Sequence, residues 1–304
     1  MTSGKKIIAS ILLLFLILAG SAGCSAVTSG ELSQKEEEKR LTISTSFYPL
    51  YIMTLNIVRD VPGVELHNIA PVQAGCLHDY QLTTNDMKKL EKSEVLIING
   101  AGMENFLEKV ISKFPSLEIV EASKGLDLIE DSHGHGVNPH VWVSISGAMG
   151  EVKNICNCLK KIDPFYAELY QKNCDDYLAK LEELKEEMHR SLASISDKRI
   201  ITFHEAFPYF AREFGLEIVD VIEGESGSQP SAQELARIIE IIKETEVKAI
   251  FTDPQYSPLA AEAIAKETQA GVYVLDSAVA GDLEPDAYLR IMEKNMKTLV
   301  EALK

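Results

Sequence analysis

The sequence has little that would hold a chain inside a membrane. Its apolar run at 7–18 is broken only by Ala9 and Ser10, well short of the ~20 residues that a spanning helix needs. Positive charge is also scarce. Thirty Lys and Arg stand against 46 Asp and Glu, giving a formal charge of −16. That balance argues against a nucleic-acid partner. The acidity attracts cations only diffusely, and bulk charge is not a site. Cysteine is sparse, with five in 304 residues, and no pair has the C-x-x-C spacing of a zinc knuckle or dithiol redox site. Cys156 and Cys158 lie two apart on a predicted helix and so point to different faces; no disulfide is expected. Three catalytic signatures are missing: a G-x-S-x-G elbow, a P-loop and H-E-x-x-H. The pair His204-Glu205 begins like the last but continues Ala206-Phe207-Pro208, which excludes that metalloprotease pattern.

The N-terminus is laid out as a secretion leader. Lys5 and Lys6 precede the apolar run, and small residues 19–23 lead to Cys24. Ser21-Ala22-Gly23-Cys24 is similar to a lipobox, with Ser21 where a branched apolar residue is usual. Residues 1–23 are therefore expected to be a signal peptide and Cys24 the lipidated first residue; the plainer alternative is cleavage near Ala22. More than one acyl chain at Cys24 would anchor the protein firmly. Residues 24–40 are rich in Ser, Glu and Lys and have too few core-forming residues to fold, so they read as a disordered tether.

Beyond residue 40, strand and helix patterns alternate in two blocks. Strands are predicted over 41–47, 64–70, 95–98 and 117–120, and again over 200–203, 217–222, 249–252 and 272–275. Helices are predicted between them, including 106–114, 206–214 and a closing helix over 286–303. This repetition predicts an α/β fold of two lobes, each with a mostly parallel sheet flanked by helices. Between the blocks, 165–195 contains no Pro or Gly, and Leu178, Leu181, Leu184, Met188, Leu192 and Ile195 recur at three- and four-residue steps. That is a long rigid helix joining the lobes. The expected division is 41–164 for the N-terminal lobe, 165–197 for the linking helix and 198–304 for the C-terminal lobe.

His78, His140 and His204 each fall in a loop after a predicted strand, and Asp276 directly follows the last one. Ligands of parallel sheets collect at the carboxyl ends of strands. Two of these residues belong to each block, so an ion held by all four would lie between the lobes. Three imidazoles and a carboxylate suit tetrahedral zinc. A single loop histidine is more commonly a surface or capping residue; four at equivalent strand ends make that reading harder to sustain.

Phe47-Tyr48-Pro49-Leu50, Asn99-Gly100-Ala101-Gly102-Met103-Glu104, Asn138-Pro139-His140-Val141-Trp142, His204-Glu205-Ala206-Phe207-Pro208-Tyr209-Phe210, Phe251-Thr252-Asp253-Pro254-Gln255 and Val274-Leu275-Asp276 together resemble the zinc- and manganese-specific substrate-binding lipoproteins of ABC transporters. The resemblance covers essentially everything after the tether. It implies metal ligands at His78, His140, His204 and Asp276, a membrane permease as partner, and no catalysis. It also implies a monomer held at the outer face of the cell membrane or in the periplasm. Asn138 stands where the family usually has Asp, and Cys76-Leu77 precedes His78 where an acidic residue or Pro is usual. These departures bear on the groups that orient the ligands. Cys76 is a fifth candidate ligand, weighed against the commoner role of a small buried residue. A histidine rather than Glu at 204 tilts the cargo towards Zn2+, with Mn2+ or iron as alternatives. Glu130-Asp131-Ser132-His133-Gly134-His135-Gly136 resembles a shortened metal-gathering loop, with His133 and His135 as auxiliary ligands or simply solvated. A surface adhesin with structural zinc is the remaining alternative; it requires a chain that unfolds when stripped of metal. His67 and His189 are expected to be structural or exposed.

Overall fold

The computed structural model describes residues 41–77, 80–131, 136–222 and 230–304. The leader, Cys24, the tether, His78, His133 and His135 lie outside the described residues.

The first lobe contains β1 (Leu41–Thr45), α1 (Tyr48–Val58), β2 (Val64–Asn68), α2 (Thr84–Lys92), β3 (Val95–Ile98), α3 (Glu108–Ile111) and β4 (Glu118–Glu121). Its strands lie in the order β2-β1-β3-β4 and every pairing is parallel. Two helices follow, α4 (Ile145–Ile162) and α5 (Ala167–Leu192). The second lobe repeats the plan with β5 (Arg199–Thr202), α6 (Pro208–Phe214), β6 (Glu217–Val221), α7 (Ala232–Thr245), β7 (Ala249–Thr252), α8 (Leu259–Thr268), β8 (Gly271–Val274) and α9 (Ala287–Leu303). Its order, β6-β5-β7-β8, is again all parallel.

Strand alternation explains how the lobes join. Ile43, Val95, Ile97 and Val120 of the first sheet share one apolar cluster with Ile200, Ala249 and Phe251 of the second. Their neighbours along the strands face outward into separate small clusters, Leu96 and Ile119 in the first lobe and Ile201, Ile250 and Val272 in the second. Each sheet is thus covered on both faces, as parallel sheets require. The helix α5 packs against α1 and α4 and against α9 of the second lobe. Its buried residues Tyr170, Cys174, Tyr177, Leu181, Leu184, Met188 and Leu192 recur at three- and four-residue steps, one stripe of a helix roughly 40 Å long at 1.5 Å per residue.

Several predicted boundaries move for local reasons. The helix expected over 206–214 begins at Pro208. Proline is favoured in a first turn and disfavours helical backbone in the residue before it. Gly215 closes this helix in the left-handed region, φ 66°. The helix expected over 106–114 shortens to a 3-10 turn at Asn105–Leu107 followed by Glu108–Ile111. The linking helix ends at Leu192, where Ile195 N–H donates back to the Leu192 carbonyl and its side chain stays buried. Cys156 and Cys174 remain thiols buried between α4 and α5.

Candidate metal centre

The carboxyl ends of the strands in both lobes deliver the donor groups. Cys76 lies in the loop after β2, His140 in the segment between β4 and α4, and His204 two residues beyond β5. Their ligating atoms all lie within 4.8 Å of one another. His140 and His204 are 0% and 1% exposed, so the meeting point is deep inside the molecule. The two imidazole rings stand edge to face, with centroids 5.1 Å apart. The Tyr256 ring also packs against His204, with centroids 5.1 Å apart.

The hydrogen bonds of Asn138 fix His140. Asn138 Nδ2 donates to the Glu205 carbonyl at 2.9 Å, which turns its Oδ1 towards His140. That oxygen accepts from the His140 backbone N–H at 3.0 Å and from ring Nδ1 at 3.1 Å. An amide oxygen can only accept, so the proton sits on Nδ1 and the lone pair on Nε2. This is how an outer partner orients a metal-binding imidazole. Asn138 therefore performs the task for which the family resemblance suggests an aspartate. It also ties the lobes together, because Glu205 belongs to the second. Nε2 of His140 lies 3.3 Å from Cys76 Sγ.

The recurring motifs support this segment. Asn99 Nδ2 donates to the Pro139 carbonyl at 2.9 Å, and Tyr209 donates its hydroxyl to the Asn138 carbonyl at 2.8 Å. Glu104 accepts from Ser46 Oγ, Asn99 N and Gly100 N at 2.7, 2.8 and 3.0 Å. Burial nevertheless pushes its carboxyl up to about 7. Gly100 has φ 81°, a conformation that favours glycine, and the exposed Glu121 side chain lies over it. Trp142 donates from Nε1 to the Ser277 carbonyl at 2.9 Å and accepts Tyr288 Oη on its own carbonyl at 2.8 Å, again across the lobes.

Asp276 lies two residues beyond β8 and is half-buried. It is not a member of the close three-donor set. Its Oδ1 accepts from Ala278 N at 2.8 Å, and Asn295 brackets its backbone, donating to its carbonyl and accepting from its N–H. Burial raises its carboxyl. The adjacent Asp253 accepts from Gln255 N and Ser277 N; burial pushes it up to about 6, and the neighbouring Asp276 adds to the rise. Of the expected ligands, His140 and His204 are brought together and Asp276 stands beyond them. Cys76 joins the pair. The cysteine–histidine contact links residues 64 apart in sequence, a distance over which no local pattern carries a signal. His67 pairs with Glu65 at 2.9 Å on β2, and exposed His189 packs on Phe214.

The donor set fits a transition-metal ion. Zinc bonds of ~2.3 Å to sulfur and ~2.0–2.1 Å to nitrogen place tetrahedral S and N donors about 3.6 Å apart. The Cys76–His140 separation of 3.3 Å is already near that value, and a mixed N/S set belongs to zinc more than to oxygen-seeking ions.

Residues 43–302 match the family described as zinc-uptake complex component A, periplasmic. The high-affinity zinc uptake system protein ZnuA of Bacillus subtilis is 32% identical over 99% of this chain and 97% of its own. The manganese-binding lipoprotein MntA of Halalkalibacterium halodurans is 26% identical over 98% and 99%. Among solved structures, the substrate-binding protein FpvC of Pseudomonas aeruginosa, in complex with Mn2+, superimposes with a TM-score of 0.79 at 31% identity. That match covers 87% of this chain and 99% of FpvC.

Proposed function

The chain belongs to the zinc-uptake complex component A family, and we propose from that membership and the buried His140–His204 pair that it captures zinc between its lobes and delivers it to an ABC transporter permease. The family consists of extracytoplasmic metal-binding proteins of such transporters, whose cargoes among the relatives include zinc and manganese. The observation that carries the reading is the meeting of two fully buried imidazoles from different lobes at the carboxyl ends of parallel strands. Burial of two histidine rings beside a thiol serves no apolar packing need, while an ion there would bind both lobes at once.

We assign the ligands as His78, His140, His204 and Asp276, with the lobes at 41–164 and 198–304 on either side of the 165–197 strut. His140, oriented by Asn138, and His204 form the centre of the set. Asp276, outside the close set in this structure, completes it from the second lobe. Anchorage through Cys24, gathering of zinc by His133 and His135, and action as a monomer belong to the same proposal. The protein moves an ion and carries out no reaction.

Competition of the stripped protein against a calibrated zinc chelator tests this. The wild type takes up one zinc and stays folded without it. His140→Ala and His204→Ala each weaken zinc binding by at least about 100-fold, beyond the ~10–100-fold typical of losing an outer partner. Unchanged affinity in both variants overturns the site. Unfolding of the stripped wild type would instead indicate a structural zinc.

A further inference from the structure

Cys76 occupies a place that the family resemblance does not assign to a ligand. Its loop presses against the second lobe: Gly75, φ 68°, sits so that a Cβ there would come 3.3 Å from Gln255 Oε1. This close approach, possible for glycine, delivers the thiol of the next residue to the buried histidines. Sγ faces the nitrogen of His140 that carries the lone pair, at 3.3 Å, and shares a 4.8 Å set with His204. The alternative role for Cys76 is a neutral S–H···N hydrogen bond to His140, which the same distance allows.

We propose that Cys76 is a metal ligand, so that this chain presents sulfur together with two imidazoles and selects zinc-like ions over manganese. The inference rests on the reading that His140 and His204 bind the transported ion. It adds the donor that makes the site prefer zinc to manganese. On binding, the thiol S–H bond breaks, its proton passes to solvent, and the sulfur lone pair forms the bond to the ion; nothing is oxidised or reduced. Thiolate ligands favour zinc and softer ions, whereas manganese prefers oxygen donors. A thiolate also neutralises one of the ion's charges, and Cys76 does so from within the close set, alongside the Asp276 carboxylate assigned above.

Cobalt(II) is the probe, because it reports sulfur ligation directly. Stripped wild-type protein titrated with Co2+ gives visible d–d bands together with a near-ultraviolet sulfur-to-cobalt charge-transfer band. Cys76→Ser keeps the d–d bands and loses the charge-transfer band, and its preference for zinc over manganese falls by more than about tenfold. Zinc also protects Cys76 from alkylation in the wild-type protein, read by peptide mass spectrometry, a measurement that needs no variant. Wild-type d–d bands without a charge-transfer band, or equal alkylation with and without zinc, overturn the role of Cys76 and leave the histidine site standing. Absence of any cobalt or zinc binding by the wild type removes both.

Discussion

At the scale of single residues, Asn138 carries the clearest consequence. Its side chain is fully buried and makes three hydrogen bonds, two to His140 and one across to Glu205. Asn138→Ala leaves the His140 ring free to rotate and to change tautomer. Zinc affinity should fall by about 10–100-fold, measured by chelator competition, while Asn138→Asp, which keeps the oxygen facing His140, should fall less. An alanine variant with wild-type affinity would show that His140 needs no such clamp. Much of this site is legible in the sequence. His140 and His204 stand out as histidines after strand ends, and parallel strands bring such positions together. Cys76 is legible only as a candidate weighed against a small buried residue, and Asn138 only as a departure from the usual Asp; their partners are not legible. Both act through contacts between segments far apart in the chain, and their geometry exists only once both lobes are packed.

Among the elements, α4 contains an unusual residue. Glu151 is fully buried on this helix, and neither carboxylate oxygen has a hydrogen-bond partner among the described residues. Burial, with buried Glu104 adding repulsion, raises its carboxyl well above the ordinary 4.5. The folded protein therefore keeps this group protonated where the unfolded chain has released the proton. No stability is lost to it below about 4.5; the loss grows as pH rises above that value and levels off beyond the folded-state value. Glu151→Leu should thus stabilise the stripped protein by about 1–3 kcal/mol at pH 8, with a smaller gain near pH 5, both read as shifts in Tm. An equal gain at both values, or destabilisation at both, contradicts the account. The helices and strands themselves follow from local signals. The Ser231–Glu234 capping box opens α7 as expected, and the strands over 95–98 and 249–252 fall where the apolar runs place them. At Pro208 the boundary follows a local proline signal that the apolar pattern masks, whereas the helix after Asn105 is shorter than its apolar pattern suggests.

Over the whole molecule, the two sheets do not have separate interiors. The cluster that begins at Ile43 continues past Tyr177 and Leu181 of α5 to Phe251 and Leu275. Opening the lobes widely would expose that shared surface to water at roughly 25 cal/mol per Å2. Bonds from Asn138 to Glu205, Trp142 to Ser277 and Tyr48 to Asp282 add polar links across the same boundary. Entry and exit of an ion must then rely on the loops at the strand ends, with the α5 strut and its core held together. The central claim is that one ion is held jointly by donors of both lobes. X-ray absorption at the zinc edge of the loaded protein, compared with His204→Ala, tests it most directly. The account predicts a wild-type first shell with at least two imidazoles and one sulfur, and loss of one imidazole in the variant. A shell made of oxygen alone, or one that is identical in both proteins, would contradict it.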